Sequence, residues 1–162
     1  MSTFSSLASW VLVAMVRMQD PNSPGVDPEL AASYVETARE IADAAESNPL
    51  LGNAKKTASL LVVWSLHESH FRREVVGDAG ASVGLMQVGR FWEKRGYDSS
   101  VSGALRLMHE SFRICAKRPV EDRGAWFAAG TSGCEKRLEL SRSRIRKALE
   151  LAKTVPDPWP VS

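Results

Sequence analysis

Residues 64–92, WSLHESHFRREVVGDAGASVGLMQVGRFW, decide how this chain is read. The first part continues an apolar run, Leu60, Leu61, Val62, Val63, Trp64 and Leu66, and closes on Glu68-Ser69. A segment that is apolar all round is a buried helix, so a central helix is expected from Ala54 to Phe71. The second part is broken by Gly77, Gly80, Gly84 and Gly89. Glycines at that density predict an irregular loop or a short hairpin, with a single helical turn near Met86.

Outward from this stretch the signals are helical nearly throughout, and no alternating run is long enough for a dependable strand. An N-terminal helix within residues 1–20 precedes the turn-rich Asp20-Pro21-Asn22-Ser23-Pro24-Gly25. Asp27-Pro28-Glu29 starts a second helix that runs to Ser47 and is stopped by Asn48-Pro49. Further helices are predicted over Ser99–Lys117, Asp122–Ala129 and Glu135–Lys153. Leu138, Ile145, Leu149 and Ala152 form the inward stripe of the last one, and the Pro-rich tail from Pro156 to Pro160 cannot continue it. With 162 residues, 44% hydrophobic and 25% charged, the chain has the size of one ordinary globular domain.

The blocks Glu68-Ser69, Gly80-Ala81-Ser82-Val83-Gly84 and Leu85-Met86-Gln87 resemble the lysozyme-like superfamily of soluble lytic transglycosylases and goose-type lysozymes, which cleave the glycan strands of peptidoglycan. The resemblance covers about residues 60–133, and its specific blocks are Glu68-Ser69 and the segment 80–87 taken as one. It implies an all-α, goose-type or transglycosylase-like fold with a short irregular loop or hairpin. A single lysozyme-like domain would span 1–162, with a catalytic core at 54–133, a basic helix at 134–153 and a tail at 154–162. Its action would be on the cell wall, in a periplasmic, extracellular or virion-associated setting, from a phage or bacterial source.

Glycosidic cleavage needs a carboxylic acid that still carries its proton near neutral pH. Glu68, at the end of a buried helix, is placed for that role, because desolvation and the negative end of the helix dipole both disfavour its charged form. In the resembled family a glutamate followed by Ser is joined by a G-[AS]-x-G-L-[MF]-Q segment lining the groove, which puts Ser69, Ser82, Gly84, Met86 and Gln87 at the substrate. Gly84 permits close backbone approach, and Gln87 offers both donor and acceptor to an acetamido group or hydroxyl. Leu85 reads as core, and Met86 stands between core packing and sugar contact. Of the aromatics able to face sugar rings, Trp64, Phe91, Trp92 and Trp126, the groove is assigned Trp92 or Trp126. The family's A-x-Y-N-x-G segment is matched by Ala125-Trp126-Phe127-Ala128-Ala129-Gly130. Phe127 replaces the Tyr and Ala128 the Asn, so two polar contacts are missing, and Thr131, Ser132 and Trp126 are the nearby substitutes.

Two mechanisms stay open. A transglycosylase needs one carboxyl, Glu68, acting first as acid and then as base and leaving a 1,6-anhydro ring. An inverting hydrolase needs a second carboxylate roughly 6.5–9.5 Å away to activate water, and Asp78 in Gly77-Asp78-Ala79-Gly80 is similar to the family's loop Asp, or else is a turn former. A third reading, from another class, is a wall-binding or structural component that keeps the groove without useful catalysis.

Cys115 and Cys134 are an even pair suited either to a disulfide or to two buried thiols. His67, His70 and His109 lack the clustering a metal site needs, and His67 and His70 stand three apart rather than the four of a metalloprotease helix. No metal or cofactor is expected. A formal charge of +2 is too mild to argue for nucleic acid. Charge is uneven, however: Lys136, Arg137, Arg142, Arg144, Arg146 and Lys147 crowd the last helix, whereas Asp20, Glu29, Glu36, Glu40 and Asp43 face a single Arg39. The basic end suits an anionic surface or a larger assembly, or is simply a solvated face. The apolar run Leu7–Val16 has no preceding basic residue and no clear cleavage site and is too short to span a bilayer, so it is expected to pack on the core.

Overall fold

The helix announced by the apolar run forms as α3, Ala54–Ser69. Asn53 caps its start by accepting the Lys56 N–H at 2.8 Å, which satisfies one of the helix's unpaired donors. Thr57 Oγ1 accepts the Leu50 N–H at 2.8 Å, closing the turn that Asn48-Pro49 imposes. Every residue from Thr57 to Ser65 is buried, so the run is apolar all round because packing surrounds it on all sides. In this computed structural model the described residues are 4–18, 28–130 and 133–158. They are mainly helical with one small sheet. The predicted turn at Asp20–Gly25 lies outside them, as do Thr131, Ser132, Trp159 and Pro160.

Around α3 pack α1 (Ser6–Met18), α2 (Pro28–Ser47) and α6 (Leu138–Thr154). The expected packing of the N-terminal apolar run is found: Trp10, Val11, Ala14 and Met15 are buried, and the Trp10 indole N–H donates to the Val155 carbonyl at 3.0 Å. Helix α4 (Val101–Ile114), capped by Ser100 on the Gly103 N–H, lies against α2 and the four-residue α5 (Ala125–Ala128). No helix of the described residues is long and apolar enough to cross a membrane.

Several boundaries differ from expectation. Helix α3 ends two residues before Phe71, because His70 and Phe71 take left-handed backbone angles, with φ of 51° and 61°. The segment expected as loop or hairpin is an antiparallel three-stranded sheet of two-residue strands, β1 (Val76–Gly77), β2 (Ser82–Val83) and β3 (Val88–Gly89), in the order β1-β2-β3. Met86 lies in a turn closed by the Gln87 N–H on the Gly84 carbonyl rather than in a helical turn. The 3-10 turns fall instead at Asp78–Gly80 and Arg90–Arg95. The helix expected from Asp122 is a 3-10 turn at Val120–Asp122 followed by α5.

On α6 the buried stripe is Ser141, Arg144, Ile145, Ala148 and Leu151. The predicted stripe shares only Ile145 with it, since Leu138, Leu149 and Ala152 are half-buried. The crowded cations of this helix are also largely engaged within the chain: Arg142 with Asp122, Arg144 with Glu68, Arg146 with Glu121 and Lys147 with Glu150. Those pairs oppose the idea of a free cationic face.

Candidate active site

Glu68 is the penultimate residue of α3. After Ser69 the chain turns away through His70 and Phe71, the His70 N–H capping the helix on the Leu66 carbonyl at 3.0 Å. Left-handed residues bearing a Cβ cost on the order of 1 kcal/mol each. Burial holds them here: Phe71 is fully buried and meets Tyr34 edge-on at 5.5 Å. The result leaves the Glu68 side chain 29% exposed at the rim of a cavity of about 560 Å³.

One side of that cavity is the small sheet. Asp78, Ser82, Met86 and Gln87 all line it. The Ser82 hydroxyl donates to the Asp78 carboxylate at 2.8 Å, while Asp78 itself is exposed with φ of 50°. Gln87 is engaged internally, its amide donating to the carbonyls of Val75 and Gly84 at 2.8 Å each. Gly77 leaves room for this arrangement, because a Cβ there would press on the Gln87 amide oxygen. Met86 is buried and its sulfur accepts the Ser65 hydroxyl at 3.0 Å.

The opposite side is aromatic. Trp92 and Trp126 line the cavity with ring centroids 5.7 Å apart, and Phe127 meets Trp64 edge-on at 5.4 Å. The α5 wall is fixed from behind by two serines. Ser111 accepts the Phe127 N–H and donates to the Arg123 carbonyl, and Ser141 accepts the Gly124 N–H and donates to the Glu121 carbonyl. A Cβ on Gly124 would fall 2.9 Å from Ser141 Oγ, so only glycine lets α6 approach this closely. Cys115 and Cys134 are joined in a disulfide, with Cα atoms 5.7 Å apart, which closes the loop carrying this wall.

Behind Glu68 stands Arg144, which the sequence reading counted only among the surface cations. Its Nη1 donates to the Glu68 carboxylate at 2.5 Å, and its guanidinium lies 4.7 Å from the Trp64 ring centroid. The side chain is 8% exposed, and its buried Nε has no hydrogen-bond partner among the described residues. The Arg144 guanidinium is therefore a buried cation in direct contact with the Glu68 carboxylate. Desolvation, followed by the Arg144 charge, holds the neighbouring His67 imidazole below its ordinary value, with Glu68 opposing. A cation on the buried stripe of an amphipathic helix was the signal available for Arg144, but the stripe itself was misplaced.

Of the sequence-derived candidates, Glu68, Asp78, Ser82, Met86, Gln87, Trp92, Trp126 and Phe127 are brought to one cavity. Two are not. Ser69 is buried and returns its hydroxyl to the Ser65 carbonyl at 3.0 Å, completing the helix rather than facing a ligand. Gly84 packs against the Ser99 carbonyl, which a Cβ would meet at 2.9 Å, so its close backbone approach is to the chain itself. His67 and His70 are exposed, whereas His109 bonds the Asn48 carbonyl at 3.0 Å. Among the described residues no group of three or more His, Cys, Asp or Glu side chains could hold a metal ion. Phe91, named among the aromatics able to face sugar rings but not assigned to the groove, lines the cavity and is 57% exposed. No protein-family model matches the chain, and neither a curated protein nor a solved structure matches it.

Proposed function

We propose that this chain is a lysozyme-like enzyme of the cell wall that cleaves the bond between N-acetylmuramic acid and N-acetylglucosamine in peptidoglycan, acting as a lytic transglycosylase with Glu68 as its single essential carboxyl. The observation that carries this reading is the meeting of Glu68 with the Ser82, Gln87 and Trp126 segments in one cavity, since these come from three separate blocks of the family-like pattern. In the reaction Glu68 gives its proton to the leaving glycosidic oxygen. The carboxylate so formed takes the proton of the muramyl 6-hydroxyl as that oxygen attacks the anomeric carbon, closing the anhydro ring. Arg144, bonded to the Glu68 carboxylate, stabilises the anion left after the first proton transfer, and the hairpin and aromatic wall hold the strand between them.

A second reading is favoured by Asp78, whose carboxylate lines the same cavity and is oriented by Ser82. There Asp78 activates water and the enzyme is an inverting hydrolase. Release of soluble material from purified sacculi, followed for the wild type, Glu68→Gln and Asp78→Asn, separates the two. Loss in Glu68→Gln alone supports the transglycosylase, and loss in both supports the hydrolase. Full release by Glu68→Gln would overturn both, whereas no release from any of the three proteins would leave the wall-binding role that the apolar Phe127 and Ala128 and the Arg144 pair favour.

A further inference from the structure

The 3-10 segment Arg90–Arg95 carries two arginines with no carboxylate partner among the described residues, and of these Arg90 donates to the Gly80 carbonyl at 2.7 Å. Arg73, Arg113, Arg118, Arg142, Arg144 and Arg146 each pair with an acid of the chain. Arg95, among the described residues, makes neither an ion pair nor a side-chain hydrogen bond. It lies instead on aromatic faces, its guanidinium carbon 4.1 Å from the Phe91 centroid and 5.4 Å from that of Trp92. Stacking of this kind uses the face of the guanidinium and leaves its in-plane N–H donors unspent, in the fork geometry that matches a carboxylate.

The seat is held in place. Trp92 meets Phe91 at 5.3 Å, Tyr97 at 5.6 Å and Trp126 at 5.7 Å between centroids. Arg106 covers Tyr97 and donates to the Gly96 carbonyl at 3.0 Å, bracing the end of the segment. Phe91 is 57% exposed although it lines the cavity, so a large ring faces water where a ligand would cover it. Arg90, Lys94 and Arg95 outnumber Glu93 on this segment, which favours an anionic ligand over a neutral one.

We propose that Phe91, Trp92 and Arg95 form a second subsite of the groove that takes a carboxylate-bearing sugar residue, the ring on the aromatic platform and the carboxylate on the guanidinium. This rests on the glycan reading of the cavity and not on cleavage. On a peptidoglycan strand the carboxylate has two sources, the lactyl group of a peptide-free muramyl residue or the acids of an attached stem peptide.

The test is equilibrium binding to Glu68→Gln protein, followed by quenching of tryptophan fluorescence. The probes are neutral chitotetraose, a peptide-free tetrasaccharide of alternating N-acetylglucosamine and N-acetylmuramic acid, and the same tetrasaccharide bearing stem peptides. Expected is a preference of roughly tenfold for at least one carboxylate-bearing probe over chitotetraose, the scale of one charge-assisted hydrogen bond. The tighter of the two carboxylate probes identifies the source. Adding Arg95→Gln reduces that preference to within about twofold, and adding Phe91→Ala weakens all three probes. A preference that survives Arg95→Gln overturns the subsite, as does equal binding of all three probes or binding of none. Release of muropeptides by the wild type without any Arg95-dependent preference sinks the subsite alone. Arg95-dependent binding with no release sinks the enzymatic reading alone.

Discussion

Arg144 donates to Glu68 at 2.5 Å from a side chain that is 8% exposed, while Glu68 keeps 29% of its side chain open to the cavity. The pair is therefore asymmetric, with the cation buried and the acid at the rim. Removing the acid outright strands a buried charge, which costs about 3 kcal/mol or more. Glu68→Gln keeps an acceptor oxygen for Nη1 and is expected to cost about 1 kcal/mol. Chemical denaturation should rank Glu68→Ala as clearly less stable than Glu68→Gln, with Arg144→Met between them because its apolar chain still covers Trp64. Equal stability of Glu68→Ala and wild type would show that the pair does not hold Arg144.

Phe127 lines the same cavity as Glu68, and on the proposed lysozyme-like reading it stands at the Tyr position of the family's third segment. Phe127→Tyr should raise the rate of strand release roughly fivefold, the equivalent of one net hydrogen bond of about 1 kcal/mol. An unchanged or lower rate in a correctly folded variant would count against matching residues 125–130 to that segment.

Gln87 ties the turn between β2 and β3 back to Val75. Gln87→Ala removes both bonds and should cost about 2 kcal/mol while also lowering strand release, because the hairpin is a wall of the groove. A loss of release with wild-type stability would instead make Gln87 a ligand contact.

The disulfide between Cys115 and Cys134 closes a loop of sequence separation 19, for which chain entropy gives about 3 kcal/mol. Reduction should lower the melting temperature by several degrees and slow strand release, since the loop carries Trp126 and Phe127. No change in melting once both thiols have been shown to titrate would defeat this.

Asp122 is buried against Arg142, and the hydrogen bond from that guanidinium, more than any other influence, holds its carboxyl below the usual range. A depressed acid stabilises the fold above its unfolded value, near 3.9, and that contribution is lost as pH falls through the folded value. Below about pH 4 the wild type should therefore lose stability more steeply than Asp122→Asn. Parallel pH profiles for the two proteins would contradict the assignment.

The sequence was most legible where composition alone specifies an environment. The all-apolar run before Glu68 read as a buried helix, and the glycine spacing after it as a break in helical structure. The pairing of Val76 with Val83 and of Val83 with Val88 was not legible, since two-residue strands are too short to show alternation. Arg144 was missed for a different reason. On α6 the residues flanking Ile145 include cations on both sides, and only tertiary packing decides that Arg144 faces inward while Arg146 and Lys147 face water. Ser69 and Gly84 illustrate the converse: the sequence pattern puts them at the substrate, yet local hydrogen bonding and the approach of Ser99 use them inside the protein.

The most direct measurement is mass spectrometry of the soluble muropeptides released from purified peptidoglycan by the wild type, with Glu68→Gln as the blank. Expected are fragments ending in 1,6-anhydromuramic acid from the wild type and none from the variant. Reducing ends would contradict the transglycosylase and pass the second role to Asp78, and release that persists in Glu68→Gln, or no release from the wild type, would contradict cleavage by Glu68 altogether.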